Sequence, residues 1–175
     1  MKQGKFQEAK QLYEQVLAAR RQVLGDTHPD TFLAMSEVAG VLRSLGEYKQ
    51  AEALEVEVVR GLEATLGAQH PGTLNAATVL AAIYRSEGKF ALATSTIVKV
   101  IAEEEKTLGP QHPTTRNSKN ALAKIYVDEK LDGKAEPQFQ QALAAATAGF
   151  DSVSADASLA LSSLLMRRRD YSGAE

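Results

Sequence analysis

Apolar residues recur along the chain at the spacing of α-helices. Met35, Val38, Ala39 and Leu42 lie at positions i, i+3, i+4 and i+7, so they share one face of a helix. After a glycine turn a second stripe of the same kind follows, made of Tyr48, Ala51, Leu54, Val58 and Leu62. The alternation of β-branched and polar residues that is typical of strands is nearly absent. The pattern therefore predicts pairs of helices and requires no strand.

The pair of helices repeats along the sequence. His-Pro steps begin at His28, His70 and His112, so successive steps are 42 residues apart. The same step relates "GKFQEA" (4–9), "GEYKQA" (46–51) and "GKFALA" (88–93). A fourth copy, "KLDGKA" (130–135), keeps only the alanine, and a fifth, "RDYSGA" (169–174), has arginine in the glycine position. A fixed period of this length indicates an array of stacked structural repeats.

This period predicts an all-α fold, an α-α superhelix of about seven antiparallel helices. Small residues at 39, 81 and 123 and at 51, 93 and 135 would let neighbouring helix backbones approach closely. We expect one array over 1–175, with a partial repeat at 1–24, repeats at 28–66, 70–108 and 112–149, and a partial repeat at 154–175. Because Gly4 begins a mid-repeat turn and neither end resembles a polar cap, we expect a longer array or ends covered by a partner.

Three histidines in matching settings could form a metal site, a catalytic set or a structural joint. Helices pack about 8–10 Å apart, whereas zinc needs nitrogen ligands at about 2 Å, so histidines of successive repeats would not share an ion. The structural interpretation explains more, because "LG" closes a helix with a left-handed glycine and a proline suits the first turn of the next. The predicted structural linker residues are His28, Pro29, His70, Pro71, His112 and Pro113.

Two helices per repeat, a small residue in each and a glycine-aromatic turn resemble the tetratricopeptide repeat. That family usually has a period of about 34 residues. The 42-residue form with "LGxxHPxT" linkers is similar to the kinesin light chain type, which also recurs in sensor arrays of nucleotide-binding signalling ATPases. The resemblance implies an α-solenoid whose first helices line a concave surface that binds other proteins.

One stripe on the first helices is left free by the predicted core. The peptide-groove candidates on and beside it are Ser36, Glu37, Arg43, Asn75, Thr78, Arg85, Asn117, Asn120 and Lys124. Three of them, Arg43, Arg85 and Lys124, would form a basic strip, which favours an acidic or carboxylate-bearing segment. Kinesin light chain repeats typically carry an Asn-Asn pair where this chain has Ser36-Glu37. Glu55 stands where equivalent helices have an aromatic residue, which predicts a looser second repeat.

Composition and charge exclude several classes of function. The chain has 44% hydrophobic and 24% charged residues, a net charge of −2 and no cysteine. Thiolate chemistry and disulfides are excluded, and the strongly basic footprint of a nucleic-acid-binding protein is missing. No apolar run approaches the roughly 20 residues of a membrane helix. We therefore expect no nucleic-acid partner, no membrane insertion and a cytoplasmic protein, or one inside an organelle if it belongs to a larger assembly.

The sequence gives no reason to expect an enzyme or a cofactor. The leading hypothesis is a non-catalytic scaffold that binds extended peptide segments of other proteins in its groove. A second hypothesis is an assembly subunit of a large complex, and a third is the sensor region of a signalling ATPase whose catalytic domain lies outside this chain.

Overall fold

The computed structural model describes residues 2–144 and 152–172, and these residues form eight α-helices and no strand. The helices are α1 (Lys2–Leu24), α2 (Pro29–Leu45), α3 (Tyr48–Leu66), α4 (Pro71–Ser86), α5 (Phe90–Thr107), α6 (Pro113–Asp128), α7 (Asp132–Ala144) and α8 (Ser152–Ser172). The predicted all-α solenoid is confirmed. The expected number of about seven helices is one too low, because a single helix, three pairs and a closing helix make eight. The repeat end predicted at 149 lies outside the described residues.

The helices belong to two compact units that divide inside α5, between Thr96 and Ile97. In the first unit α2 packs against α1, α3 and α4, and α3 also packs against α4. In the second unit α6 packs against α7 and α8, and α7 packs against α8. Within each unit, consecutive helices therefore cover each other's apolar faces.

The small residues at the repeated positions are buried, as the period predicts. Ala39 and Ala51 of the first unit are completely buried, and so are Ala123 and Ala135 of the second. Large side chains fill the space around them in each core, since an interior is close-packed. The largest fully buried apolar side chains of these two cores are Met35, Leu62 and Ile83 in the first unit and Phe139 in the second.

The turn between the helices of a pair has the same geometry with and without glycine. Gly46 has φ 82° and donates its N–H to the Arg43 carbonyl, while Glu47 donates to Leu42. Lys130, two periods later, has φ 63° and donates to the Val127 carbonyl. A left-handed conformation costs a non-glycine residue roughly 1–2 kcal/mol. Lys130 nevertheless adopts this conformation, because the same backbone hydrogen bonds close the turn there.

The first and last helices differ from the sequence-based expectation. A turn was expected at Gly4, but α1 is helical from Lys2 onward. A turn was also expected at Arg169, but α8 continues to Ser172. The glycine-aromatic motif therefore forms a turn at Gly46 but lies within a helix at Gly4.

Gly61 of α3 lies against an aromatic ring of α2, which leaves no room for a side chain. The Phe32 ring, which is buried, lies where a β-carbon on Gly61 would stand. Gly40 of α2 is also helical, but a β-carbon there would meet nothing within 4 Å. The two helical glycines therefore differ in the space around them and not in their backbone requirement.

We predict opposite effects for alanine at these two glycines. Gly61→Ala should lower the free energy of unfolding by about 1–3 kcal/mol, because the Phe32 ring must move out of a packed core. Gly40→Ala should raise it by up to about 1 kcal/mol through helix propensity alone. Urea unfolding followed by circular dichroism measures both. Equal effects of the two substitutions would contradict this account of the α2–α3 contact.

Candidate functional site

The three histidines of the "LGxxHPxT" motif are N-caps of the first helices. His70 has extended backbone (φ −66°, ψ 137°), and Pro71 follows it as the first residue of α4. The His70 Nδ1 atom accepts a hydrogen bond of 3.0 Å from the Gly72 N–H. His28 and His112 make the same bond to the N–H two residues later, at 3.1 and 3.3 Å. The ring thus satisfies an N–H that the start of a helix leaves without a partner.

The threonine that ends each "LGxxHPxT" motif is hydrogen-bonded to the glycine that follows the preceding helix. Thr73 is buried, and its hydroxyl donates a 2.8 Å hydrogen bond to the Gly67 carbonyl. Thr31 and Thr115 make the same bond to their own glycines at 2.7 and 2.9 Å. Gly67 has φ 92° and ψ 158°. The expected left-handed helical conformation is therefore wrong for Gly67, which adopts an extended positive-φ conformation open essentially only to glycine.

We predict that the cap at His70 contributes stability through its acceptor atom. His70→Ala should lower the free energy of unfolding by about 1 kcal/mol, because the Gly72 N–H loses its partner. His70→Asn should retain most of that stability, since asparagine is a good N-cap acceptor. Thermal unfolding of both variants measures the difference. Equal losses in the two variants would show that the ring itself, and not the acceptor, matters.

A cavity of about 420 Å³ opens in the first unit, where three helices converge. Its lining residues are Tyr13, Val16 and Arg20 of α1, Leu33, Ala34, Ser36 and Glu37 of α2, and Asn75 of α4. Three of the sequence-predicted groove residues, Ser36, Glu37 and Asn75, thus meet at one cavity. Apolar and polar side chains contribute about equally to its lining.

The α1 residues of this cavity were not predicted from the sequence. Val16 and Arg20 are one period before Val58 and Leu62, which are completely buried in α3. Val16 is instead 45% exposed. The signal in the sequence was Arg20, one period before the buried Leu62, because an arginine is almost never fully buried without a partner.

The two charged residues of the cavity belong to different ends of it. Arg20 donates from Nη1 to the Asp30 carbonyl at 2.6 Å, near the start of α2. Glu37 is exposed and lies seven residues further along α2. Seven residues of helix span roughly 10 Å. The cavity therefore has a basic end beside Asp30 and an acidic end beside Glu37.

Ser36 turns away from solvent toward a buried carboxyl group. Its hydroxyl donates a 2.9 Å hydrogen bond to Oε1 of Glu55, and Ser36 itself is only 9% exposed. Glu55 is completely buried, and its Oε2 atom is buried without a hydrogen-bond partner. Burial raises the pKa of Glu55 to about 7, the Ser36 hydrogen bond opposes that rise, and the charge of Glu37 adds to it.

Glu55 gives the protein a predicted pH dependence of stability. An exposed carboxyl of this kind titrates near 4.5, while that of Glu55 has a pKa of about 7 in the folded protein. The folded state therefore holds the extra proton, and stability falls as the pH rises from 4.5 to 7 and then levels off. Glu55→Gln should match the unmodified protein near pH 4.5 and exceed its stability by about 3 kcal/mol at pH 8.

Urea unfolding at several pH values measures this effect. Glu57→Gln, an exposed position on the same helix, is the matched control and should change little at any pH. A difference between Glu55→Gln and the unmodified protein that stays constant with pH would contradict the assignment.

The remaining groove candidates are distributed along the first helices. In the first unit Arg43 is partly buried, and its Nε atom has no hydrogen-bond partner. The Thr78 hydroxyl donates to the Leu74 carbonyl of its own helix. Arg85 is partly buried and interacts with other groups of the chain. None of these three lines the cavity.

The second unit holds the other three candidates. Asn117 is exposed on α6, Asn120 is buried, and Lys124 is partly buried. Asn120 and Lys124 both interact with other groups of the chain. A second buried carboxyl belongs to this unit: burial raises the pKa of Glu104, while a hydrogen bond with Ser118 lowers it.

Comparison with known proteins agrees with this architecture. Residues 1–64 match the tetratricopeptide repeat family model. The structure is similar to the nearly identical TPR-like repeats of a predicted kinesin light chain of Podosopora anserina, with 26% identity and a TM-score of 0.75 over 98% of this chain and 82% of that one. A variant of the same repeats gives a TM-score of 0.77 at 26% identity, with the same coverage.

A more distant structure shows the same fold. BtubC (BKLC) of P. vanneervenii is 19% identical, with a TM-score of 0.77 over 98% of this chain and 69% of that one. None of the curated proteins compared with the chain matches it in sequence. Within residues 2–144 and 152–172 no helix is long and apolar enough to cross a membrane.

The first 64 residues therefore match the tetratricopeptide repeat, and the structure is similar to that of kinesin light chain-like repeats. Proteins built from this repeat generally serve as scaffolds for protein–protein interaction.

Proposed function

We propose that this protein is a non-catalytic scaffold that binds an extended peptide segment of another protein along α2 and α4. The observation that carries the proposal is the cavity between α1, α2 and α4. An extended peptide needs partners for its backbone and recesses for its side chains. The exposed Asn75 amide can both donate to and accept from a peptide backbone, and Tyr13, Val16 and Leu33 offer apolar surface beside it.

The preference for an acidic segment remains a prediction and has less support than the cavity. It depends on a basic strip of Arg43, Arg85 and Lys124. Arg85 and Lys124 already interact with other groups of this chain, so a bound acidic segment would have to compete with those interactions. A cytoplasmic location is likewise part of the proposal, as is the lack of catalysis.

The assembly hypothesis is supported by a different observation. Leu12 and Val23 of α1 are 63% and 79% exposed, and Leu159 and Met166 of α8 are 73% and 69% exposed. Large exposed side chains of this kind often lie at protein–protein contacts. Light scattering over a concentration series tests this alternative, since an apolar contact between subunits would persist in high salt. A monomer at all concentrations would argue against contact between copies of this chain.

We predict that peptides selected against the full chain depend on Asn75. Peptides from a displayed random library would be selected, synthesised with a fluorescent label and titrated by anisotropy. Asn75→Ala should weaken binding about tenfold, because lost hydrogen bonds worth about 1–1.5 kcal/mol correspond to that factor. Gln50→Ala, which removes an exposed amide from α3, is the matched control and should have no effect.

Two results would overturn the proposal. One is a library that yields no binding peptide. The other is an equal loss of affinity in the Asn75→Ala and Gln50→Ala proteins, which would place the binding surface elsewhere.

A further inference from the structure

The acidic end of the cavity combines an exposed carboxylate with a buried one. Glu37 lines the cavity, and its charge acts on the Glu55 carboxyl behind it. Ser36 connects the two, because it lines the cavity and also donates to Glu55 at 2.9 Å. The Ser36 hydroxyl therefore links a residue of the cavity lining to a completely buried carboxyl group whose Oε2 atom has no hydrogen-bond partner.

In the part of the chain that the structure describes, no positive charge of α3 itself (Lys49, Arg60) or of its neighbours compensates the charge of Glu55. The helices packed against α3 are α2 and α4. On α2 the charged residues are Asp30, Glu37 and Arg43, and on α4 the titratable and charged residues are Tyr84 and Arg85. Of these, the charge that acts on Glu55 is that of Glu37, and it is repulsive. A carboxylate beside a second, buried carboxyl group, with no cation between them, favours the binding of a positively charged group.

The basic residue of the cavity does not supply this charge. Arg20 is held at the other end by the Asp30 carbonyl, roughly 10 Å along the axis of α2 from Glu37. That separation is about one Debye length at physiological salt. A ligand cation beside Glu37 would therefore meet attraction from Glu37 at close range and only screened repulsion from Arg20.

We infer that the cavity accepts the basic side chain of an arginine or lysine residue in the bound peptide, with Glu37 as its ion-pair partner and Ser36 and Asn75 beside it. This inference rests on the proposed peptide-binding function and names the anchor residue of the ligand. It differs from the acidic preference of the basic strip, which concerns other positions on the first helices.

Binding of a cation there is coupled to the ionisation of Glu55. The Glu55 carboxyl is half protonated near pH 7, and a positive charge one hydroxyl away stabilises its carboxylate form. Binding therefore releases protons, so affinity increases as the pH rises from 6 to 8. A bound cation that lowers the pKa of Glu55 by one unit gives a limiting increase of about tenfold.

The probe is Nα-acetyl-arginine N-methylamide, titrated into the isotope-labelled full chain and followed by nuclear magnetic resonance. Nα-acetyl-citrulline N-methylamide is the matched neutral probe, because it has nearly the same shape without the charge. We predict that the arginine probe shifts the amide signals of Ser36, Glu37 and Asn75 and that the citrulline probe binds at least several-fold more weakly. The arginine probe should also bind up to about tenfold more tightly at pH 8 than at pH 6.

Two variants separate the parts of the inference. Glu37→Gln should weaken binding of the arginine probe at every pH, because the ion-pair partner is lost. Glu55→Gln should retain binding but remove its pH dependence, and Glu57→Gln should leave both unchanged. Equal binding of the arginine and citrulline probes, or an unchanged pH dependence in Glu55→Gln, would overturn the inference.

The outcomes also separate this inference from the proposed function. Selected peptides that need Asn75 but contain no basic residue would support the groove and reject the basic anchor. If no peptide binds but the arginine probe still shifts Ser36 and Glu37, the cation site stands without the peptide groove.

Discussion

The rest of the structure depends on the joint between repeats, which is the "LGxxHPxT" segment at 24–31, 66–73 and 108–115. At each joint a threonine hydroxyl holds the carbonyl of a positive-φ glycine, and a histidine ring caps the helix that a proline begins. The bonds are local, so each joint fixes where the next helix starts. The 42-residue register follows, and with it the burial of the small residues at the helix contacts. The histidines thus serve the fold, because each joint positions the start of a first helix within its unit.

Much of this frame could be predicted from the sequence, because a fixed period carries its own register. The first helices begin at Pro29, Pro71 and Pro113, where the motif places them. The turns expected at Gly4 and Arg169 were wrong, because both residues lie within helices and the motif alone does not show where a helix ends. Ser36 was expected to face a ligand, but α2 is covered by three neighbours, and a stripe rule does not show which of them a side chain meets. The hydrogen bond from Ser36 to Glu55 joins residues 19 positions apart, and no periodic pattern in the sequence predicts it.

The candidate site departs from the repeat at the positions that give it chemistry. Arg20 stands where the next repeat has Leu62, and Glu55 stands where the preceding and following repeats have Tyr13 and Ile97. Polar groups therefore occupy positions that are apolar or aromatic in a neighbouring repeat. A completely buried carboxyl with a free oxygen opposes folding at neutral pH. Repeat proteins can tolerate such a local cost because neighbouring repeats contribute their own stability. A residue that lowers the stability of the fold and lies beside a cavity indicates a functional site.

The most direct test of the central claim is to map where a bound peptide lies. A selected peptide carrying a photoreactive residue would be cross-linked to the full chain, and the attachment sites identified by mass spectrometry. The account predicts cross-links to the cavity residues of α1, α2 and α4, including Leu33, Glu37 and Asn75. Cross-links concentrated at the His-Pro joints, or on the exposed face of α3, would contradict it.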